Sequence, residues 1–172
     1  VKNWDFAYAD YEAWNAFSRI SAFDVDQNAA QVLPLKNPSD TYSDEDYPAT
    51  MMLDIDGAAW TPMMNYNGDI ESIQFLRESV LYAAHHLNPN SNVLIIGTGG
   101  GRDILAALAF EQRSVLGIEL NPLMRHMVEE HYADYSGQPY TQPKVRVILD
   151  EARSRLHQIN RKFGIIQLSL ID

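Results

Sequence analysis

The sequence predicts an α/β fold in which a parallel sheet carries helices on its faces and a small β-rich amino-terminal domain precedes it. Three observations predict it. Residues 93–96, VLII, are too short a run for a buried helix and read as a strand buried on both faces; glycines 97, 99, 100 and 101 follow, and 104–110 continues as an apolar-striped helix. Apolar strand-like and helix-like segments then alternate to the last residue, the pattern of a parallel sheet. Ahead of all this, two short apolar stretches flank Gly57 and read as a hairpin or meander in a separate small sheet. The expected division falls at residues 1–66 and 67–172.

Taken in order, residues 4–23 mix aromatics with acids, and 18–23 reads as a strand. Trp4, Phe6, Tyr8, Tyr11, Trp14 and Phe17 read as packing or an interface. Residues 37–48, NPSDTYSDEDYP, form a polar, proline-bounded loop whose acids Asp44, Glu45 and Asp46 read as solvated carboxylates. Strands are expected over 51–56 and 58–63, with methionines 51, 52, 63 and 64 as core filler. A single helix is then expected: Asp69 caps it, Glu71 suits its first turn, and Ile70, Ile73, Leu76, Val80, Ala84 and Leu87 make one stripe before Asn88-Pro89. His85 and His86 point about 100° apart on such a helix and share no metal-ligand face.

Beyond the glycine turn, strands are expected at 115–119, 145–149 and 163–170. Helices are expected from Asn121-Pro122 through His131 and over 152–159. His126 and His131, five apart, read as surface or packing residues.

The chain has 172 residues, 46% of them hydrophobic, enough for one sizeable core. With no cysteine, disulfides, thiolate metal sites and a cysteine nucleophile are excluded, and a reducing, cytoplasmic setting is the expectation. No apolar run approaches the ~20 residues of a membrane span, no signal peptide is visible at Val1, and no membrane partner is expected for this chain. The net charge of −10 is confined to residues 1–90, which hold 4 Lys/Arg against 14 Asp/Glu. Such a surface repels nucleic-acid phosphates and favours a small cationic partner.

The glycines fit Gly-x-Gly-x-Gly at 97, 99 and 101, whereas a Gly-x-Gly-x-x-Gly dinucleotide fingerprint fails at Arg102 and at Ile104. This spacing is similar to that of S-adenosylmethionine-dependent transferases, whose sheet is Rossmann-like. Ligands of open parallel sheets bind beyond the carboxyl ends of the strands, and two of those ends are acidic here. Glu119 ends the second strand, 18 residues after Gly101, where an acid accepts hydrogen bonds from both ribose hydroxyls. Asp150, with Glu151 beside it, ends the third, placed either to contact the adenine amino group or to cap the next helix. A nicotinamide cofactor also suits a glycine turn plus an acid. Asp103 at the helix start opposes a pyrophosphate, however, and suits a cationic amino or sulfonium group.

Together VLIIGTGGGRD (93–103), VLGIELNP (115–122), VRVILDEARSRL (145–156) and FGIIQLSLID (163–172) resemble the spermidine synthase family of aminopropyltransferases, over residues 53–172. The resemblance implies a β-rich amino-terminal domain, a Rossmann-like domain, and aminopropyl transfer from decarboxylated S-adenosylmethionine to a polyamine, without a metal. It implies nucleoside binding by Gly97, Gly99, Glu119 and Asp150, to which the reading of the residues adds Gly101, Asp103 and Glu151. The departures are catalytic. The family ends its fourth strand with Asp-Ser-Ser-Asp, the first aspartate taking a proton from the attacking amine. That position is Ser169 here, and Asp172 alone remains as a candidate base. The acid within the family's glycine loop corresponds to Gly100, with Asp103 as stand-in, and Trp60 replaces a glutamine. The resemblance also implies further strands and a gate loop after the fourth strand, so a fragment with poor turnover, or a partner that completes the sheet, is expected, with a homo-oligomer among the expected assemblies. Methyl transfer from S-adenosylmethionine itself to another acceptor, and a non-catalytic nucleoside-binding or interaction module, are the alternative readings.

Overall fold

The computed structural model describes residues 9–24 and 48–169. Trp4, Phe6, Tyr8, the acids 44–46 and Asp172 lie outside the described residues. The first sheet is antiparallel, in the order β1 (Tyr11–Trp14), β2 (Arg19–Asp24), β3 (Thr50–Ile55) and β4 (Ala59–Met64). Its register pairs Ile20 with Ile55 and Leu53 with Thr61, so the β3–β4 hairpin turns through Asp56 and Gly57, both at positive φ. Gly57 N donates to the Asp54 carboxylate, which closes that turn.

The second sheet is parallel, in the order β7 (Val145–Leu149), β6 (Ser114–Glu119), β5 (Asn92–Ile96) and β8 (Ile165–Gln167). β5 is paired on both sides, and Val93, Leu94 and Ile95 are fully buried, as the unbroken apolar run requires. Each of the larger two contributes about 1.5–3 kcal/mol by burial. The two sheets share a core: Ile20, Ala22, Met51, Leu53 and Met63 of the first pack in one cluster with Val93, Ile95, Ile104 and Val115 of the second.

The segment expected as one helix over 70–87 is built otherwise. A 3₁₀ helix spans Ile70–Glu78, a second short one Val80–Tyr82, and only Ala83–Leu87 is α-helical, here α1. Ser79 makes the break. Its backbone is extended, its N–H donates to Leu76 O, and its hydroxyl accepts from Leu81 N. The expected stripe consequently divides, with Ile73 and Leu76 buried but Val80 and Leu87 exposed. The cap at Asp69 is present, accepting from Glu71 N at 3.0 Å.

α2 (Arg102–Ala109) follows the glycine turn, and α3 (Pro122–His126) opens behind an Asn121 cap. The helix expected through His131 continues as a π-helical turn over Met127–His131, where the ring of His131 lies 3.9 Å from that of Tyr11 and His126 pairs with Glu130. A short α4 (Ala133–Ser136) precedes β7, and α5 (Ala152–Gln158) leads to β8. The fourth strand is shorter than the expected 163–170, pairing with β5 only from Ile165 to Gln167. No described helix is long and apolar enough to cross a membrane.

Candidate functional site

The glycine turn is shaped as its spacing predicts and is packed more closely than a simple ligand cradle. Gly97, Gly99 and Gly101 have φ of 73°, 51° and 91°, values that L side chains rarely adopt. Gly100 serves a different purpose: β4 crosses the turn so closely that an added Cβ would overlap the Pro62 carbonyl. Thr61 Oγ1 accepts from Gly100 N at 3.0 Å, and the Tyr140 hydroxyl donates to Gly99 O. The amino-terminal sheet thus holds the turn from above.

Glu119 stands at the end of β6 beside that turn, 7% exposed. Its Oε2 accepts from Gly99 N at 3.1 Å and from Thr98 Oγ1 at 3.3 Å, and its Oε1 accepts from Asn121 N at 2.9 Å. Asp150 lies on the neighbouring strand end, its N–H donating to Glu119 O at 3.0 Å. The Asp150 carboxylate accepts from Glu151 N and pairs with Arg155. The cap of α5 is Glu151 rather than Asp150: its carboxylate accepts from Arg153 N and Ser154 N, and those backbone donors hold its pKa below the usual range. Gly97, Gly99, Glu119 and Asp150 are therefore brought together, with Glu151 turned to its own helix.

Asp103 occupies a second position. It lines a cleft of about 360 Å³ that opens between β4, the glycine turn, the first turn of α2 and the end of β8. Thr61 and Pro62 come from β4, Gly97 and Thr98 from the turn, Arg102 and Asp103 from α2, and Gln167 and Ser169 from β8 and the residues after it. Leu81, Ala84, Ile166 and Leu168 give it an apolar flank. Tyr82 Oη donates to Asp103 Oδ1 at 2.9 Å and accepts from Arg102 Nε at 2.9 Å. Burial raises the Asp103 pKa, opposed by the Ser169 and Tyr82 hydroxyls and the Arg102 guanidinium.

Behind the cleft, His85 is 1% exposed between two glutamines. Gln112 Nε2 lies 3.2 Å from His85 Nδ1, and His85 Nε2 lies 3.1 Å from Gln167 Oε1, which assigns the proton to Nε2. Gln167 Nε2 in turn donates to Ser169 Oγ at 3.0 Å. Burial lowers the His85 pKa and keeps the ring neutral. Among the described residues no group of three or more His, Asp or Glu gathers to hold a metal.

Sequence reasoning did not find Tyr82, His85 or Arg102. Arg102 was visible only as the residue that spoils a dinucleotide fingerprint, and the adjacency of opposite charges in Gly-Arg-Asp was the signal available.

No family model matches the chain, and no curated protein matches it. Among solved structures, a spermidine synthase in complex with the transition-state analogue AdoDATO aligns with 93% of this chain and 46% of its own, at 16% identity and a TM-score of 0.56. The spermidine synthase from Thermotoga maritima aligns with 95% of this chain and 47% of its own, at 16% identity and a TM-score of 0.57. The chain spans about half the length of either. The chain, an antiparallel four-stranded sheet packed on a parallel four-stranded one, thus shares its fold with these two spermidine synthase structures.

Proposed function

We propose that the chain is the nucleoside-binding part of a spermidine synthase-like transferase, which moves an alkyl group from the sulfonium of an S-adenosylmethionine-type nucleoside to an acceptor. One observation carries it: the glycine turn, Glu119 and Asp150 meet at the carboxyl ends of adjacent parallel strands, and a cleft with a buried carboxylate opens beside the same turn. The nucleoside would lie along Gly97, Gly99 and Gly101 with its ribose at Glu119 and its adenine toward Asp150. The sulfonium end would point to Asp103.

Aminopropyl transfer from decarboxylated S-adenosylmethionine to a polyamine is the first reading, with Asp172 as the base, and it rests on the resemblance of the four motifs and of the fold. Methyl transfer is the second. It is favoured by Ser169, a hydroxyl that cannot serve as a general base near neutrality where the resemblance calls for a carboxylate.

Calorimetry of the chain with 5′-methylthioadenosine, S-adenosylmethionine and NAD tests the shared part of both readings. Binding of the two adenosyl sulfur compounds without NAD is expected; NAD binding alone would overturn the assignment. Parallel incubations with putrescine and the decarboxylated donor, and with S-adenosylmethionine and candidate acceptors, followed by mass spectrometry, separate the readings: spermidine is the product of the first, and its absence beside a methylated product made from S-adenosylmethionine establishes the second.

A further inference from the structure

The cleft beside the glycine turn holds two charged side chains among its described lining residues, and they are of opposite sign and adjacent in sequence: Arg102 and Asp103. Both are more than nine-tenths buried, at 6% and 7% exposure. One hydroxyl fixes both, since Tyr82 Oη accepts from Arg102 Nε and donates to Asp103 Oδ1, each at 2.9 Å. The guanidinium carbon lies 5.6 Å from the centre of the Tyr82 ring, so the side chain is also held by its face. A guanidinium anchored through Nε keeps its planar fork of terminal N–H groups for recognising a carboxylate.

We infer that Arg102 and Asp103 form a clamp for a zwitterionic α-amino-acid group, Arg102 reading its carboxylate and Asp103 its ammonium, and that the donor nucleoside is therefore the intact sulfonium amino acid rather than its decarboxylated form. The inference rests on the nucleoside reading above and decides its donor in favour of the second reading, transfer from S-adenosylmethionine itself.

Charge balance supports the clamp. Decarboxylated S-adenosylmethionine brings two positive charges, a sulfonium and an ammonium, into the cleft, and a polyamine acceptor adds more. The intact donor brings one net positive charge and a carboxylate. A buried charge is costly unless paired, and the described lining offers one carboxylate beside one guanidinium, a neutral pair that complements a zwitterion and repels half of a dication. The acidic excess of the amino-terminal residues contributes no described carboxylate here, because β4 brings only Thr61 and Pro62 to the cleft. Asp103 fits as the ammonium partner: a cation beside it would act with the Ser169 and Tyr82 hydroxyls and the Arg102 guanidinium, which already oppose the rise that burial imposes on its pKa.

The test is calorimetry on the whole chain with S-adenosylmethionine, decarboxylated S-adenosylmethionine and 5′-methylthioadenosine, which has neither the amino nor the carboxyl group. The wild-type chain should bind the intact donor at least about ten-fold more tightly than the decarboxylated one, the effect of one charge-assisted hydrogen bond. Arg102→Gln should erase that gap while leaving methylthioadenosine affinity within about two-fold, which also reports that the variant is folded. Tyr82→Phe, which keeps both charges and removes their shared hydroxyl, should narrow the gap. Equal or tighter binding of the decarboxylated donor, or a gap that survives Arg102→Gln, overturns the clamp. Failure of all three compounds to bind the wild-type chain overturns the nucleoside reading and the clamp with it.

Discussion

Glu119 carries the candidate ribose contact, yet in the free chain its carboxylate already takes three donors, two from the glycine turn and one from the start of the next helix. Removing a buried acceptor with that many partners leaves the donors unpaid in kind, so Glu119→Ala should destabilise the fold by about 2–4 kcal/mol in urea unfolding, and Glu119→Gln by less. Affinity losses in the alanine variant therefore need the glutamine variant beside them. His85 makes the complementary point about burial without a ligand. Its pKa is lowered from 6.5, so the folded chain resists a proton that the unfolded chain accepts. Its stabilising contribution is full above 6.5 and is lost as pH falls through that value toward the lower one of the folded state. Thermal unfolding midpoints should drop between pH 7.5 and 5, and His85→Gln should flatten that drop. At this scale the sequence was legible where a residue's place follows from counting along one strand, as for Glu119 at the end of β6. It was not legible for Tyr82 and His85, whose partners lie 20 or more residues away on other elements and whose own segment showed only a stripe.

At the scale of elements, the strands were legible because each is a short apolar run with polar punctuation, and β3, β4, β6 and β7 lie within a residue or so of their expected bounds. The segment over 70–87 was not. Ile70, Ile73 and Leu76 are spaced by three, which suits a 3₁₀ helix as well as an α-helix, and the competition settled at Ser79, whose side chain and backbone both take local partners. The fourth strand was expected too long because its apolar residues continue after the pairing with β5 stops. The glycine turn illustrates what patterns alone omit: its spacing reveals a turn, but not that β4 packs on it. Gly100→Ala, placed against the Pro62 carbonyl, should cost about 2–3 kcal/mol, whereas Gly68→Ala, which has open space and only a positive φ to offend, should cost about 1 kcal/mol by the same unfolding assay.

For the whole molecule, the shared core means that neither sheet has a private interior. Met63 of β4 packs in one cluster with Ile95 and Ile104, so fluorescence from the tryptophans of β1 and β4 and circular dichroism from the helices should follow one coincident unfolding transition. Met63→Ala should shift both probes together, by about 2–4 kcal/mol; separate transitions would show that the sheets melt independently. The seam between the sheets also passes through Asn121. This one side chain caps α3 through Leu123 N, accepts from Asn15 Nδ2 at 2.6 Å and donates to Ser18 Oγ at 2.8 Å, while its backbone N–H is bound to Glu119. A nucleoside that draws Glu119 toward its ribose therefore pulls on the same residue that pins the β1–β2 turn. Amide protons of Phe17 and Ser18, which have no place in the cleft, should then exchange with deuterium at a different rate once ligand is added, and the amino-terminal sheet becomes a remote gauge of occupancy.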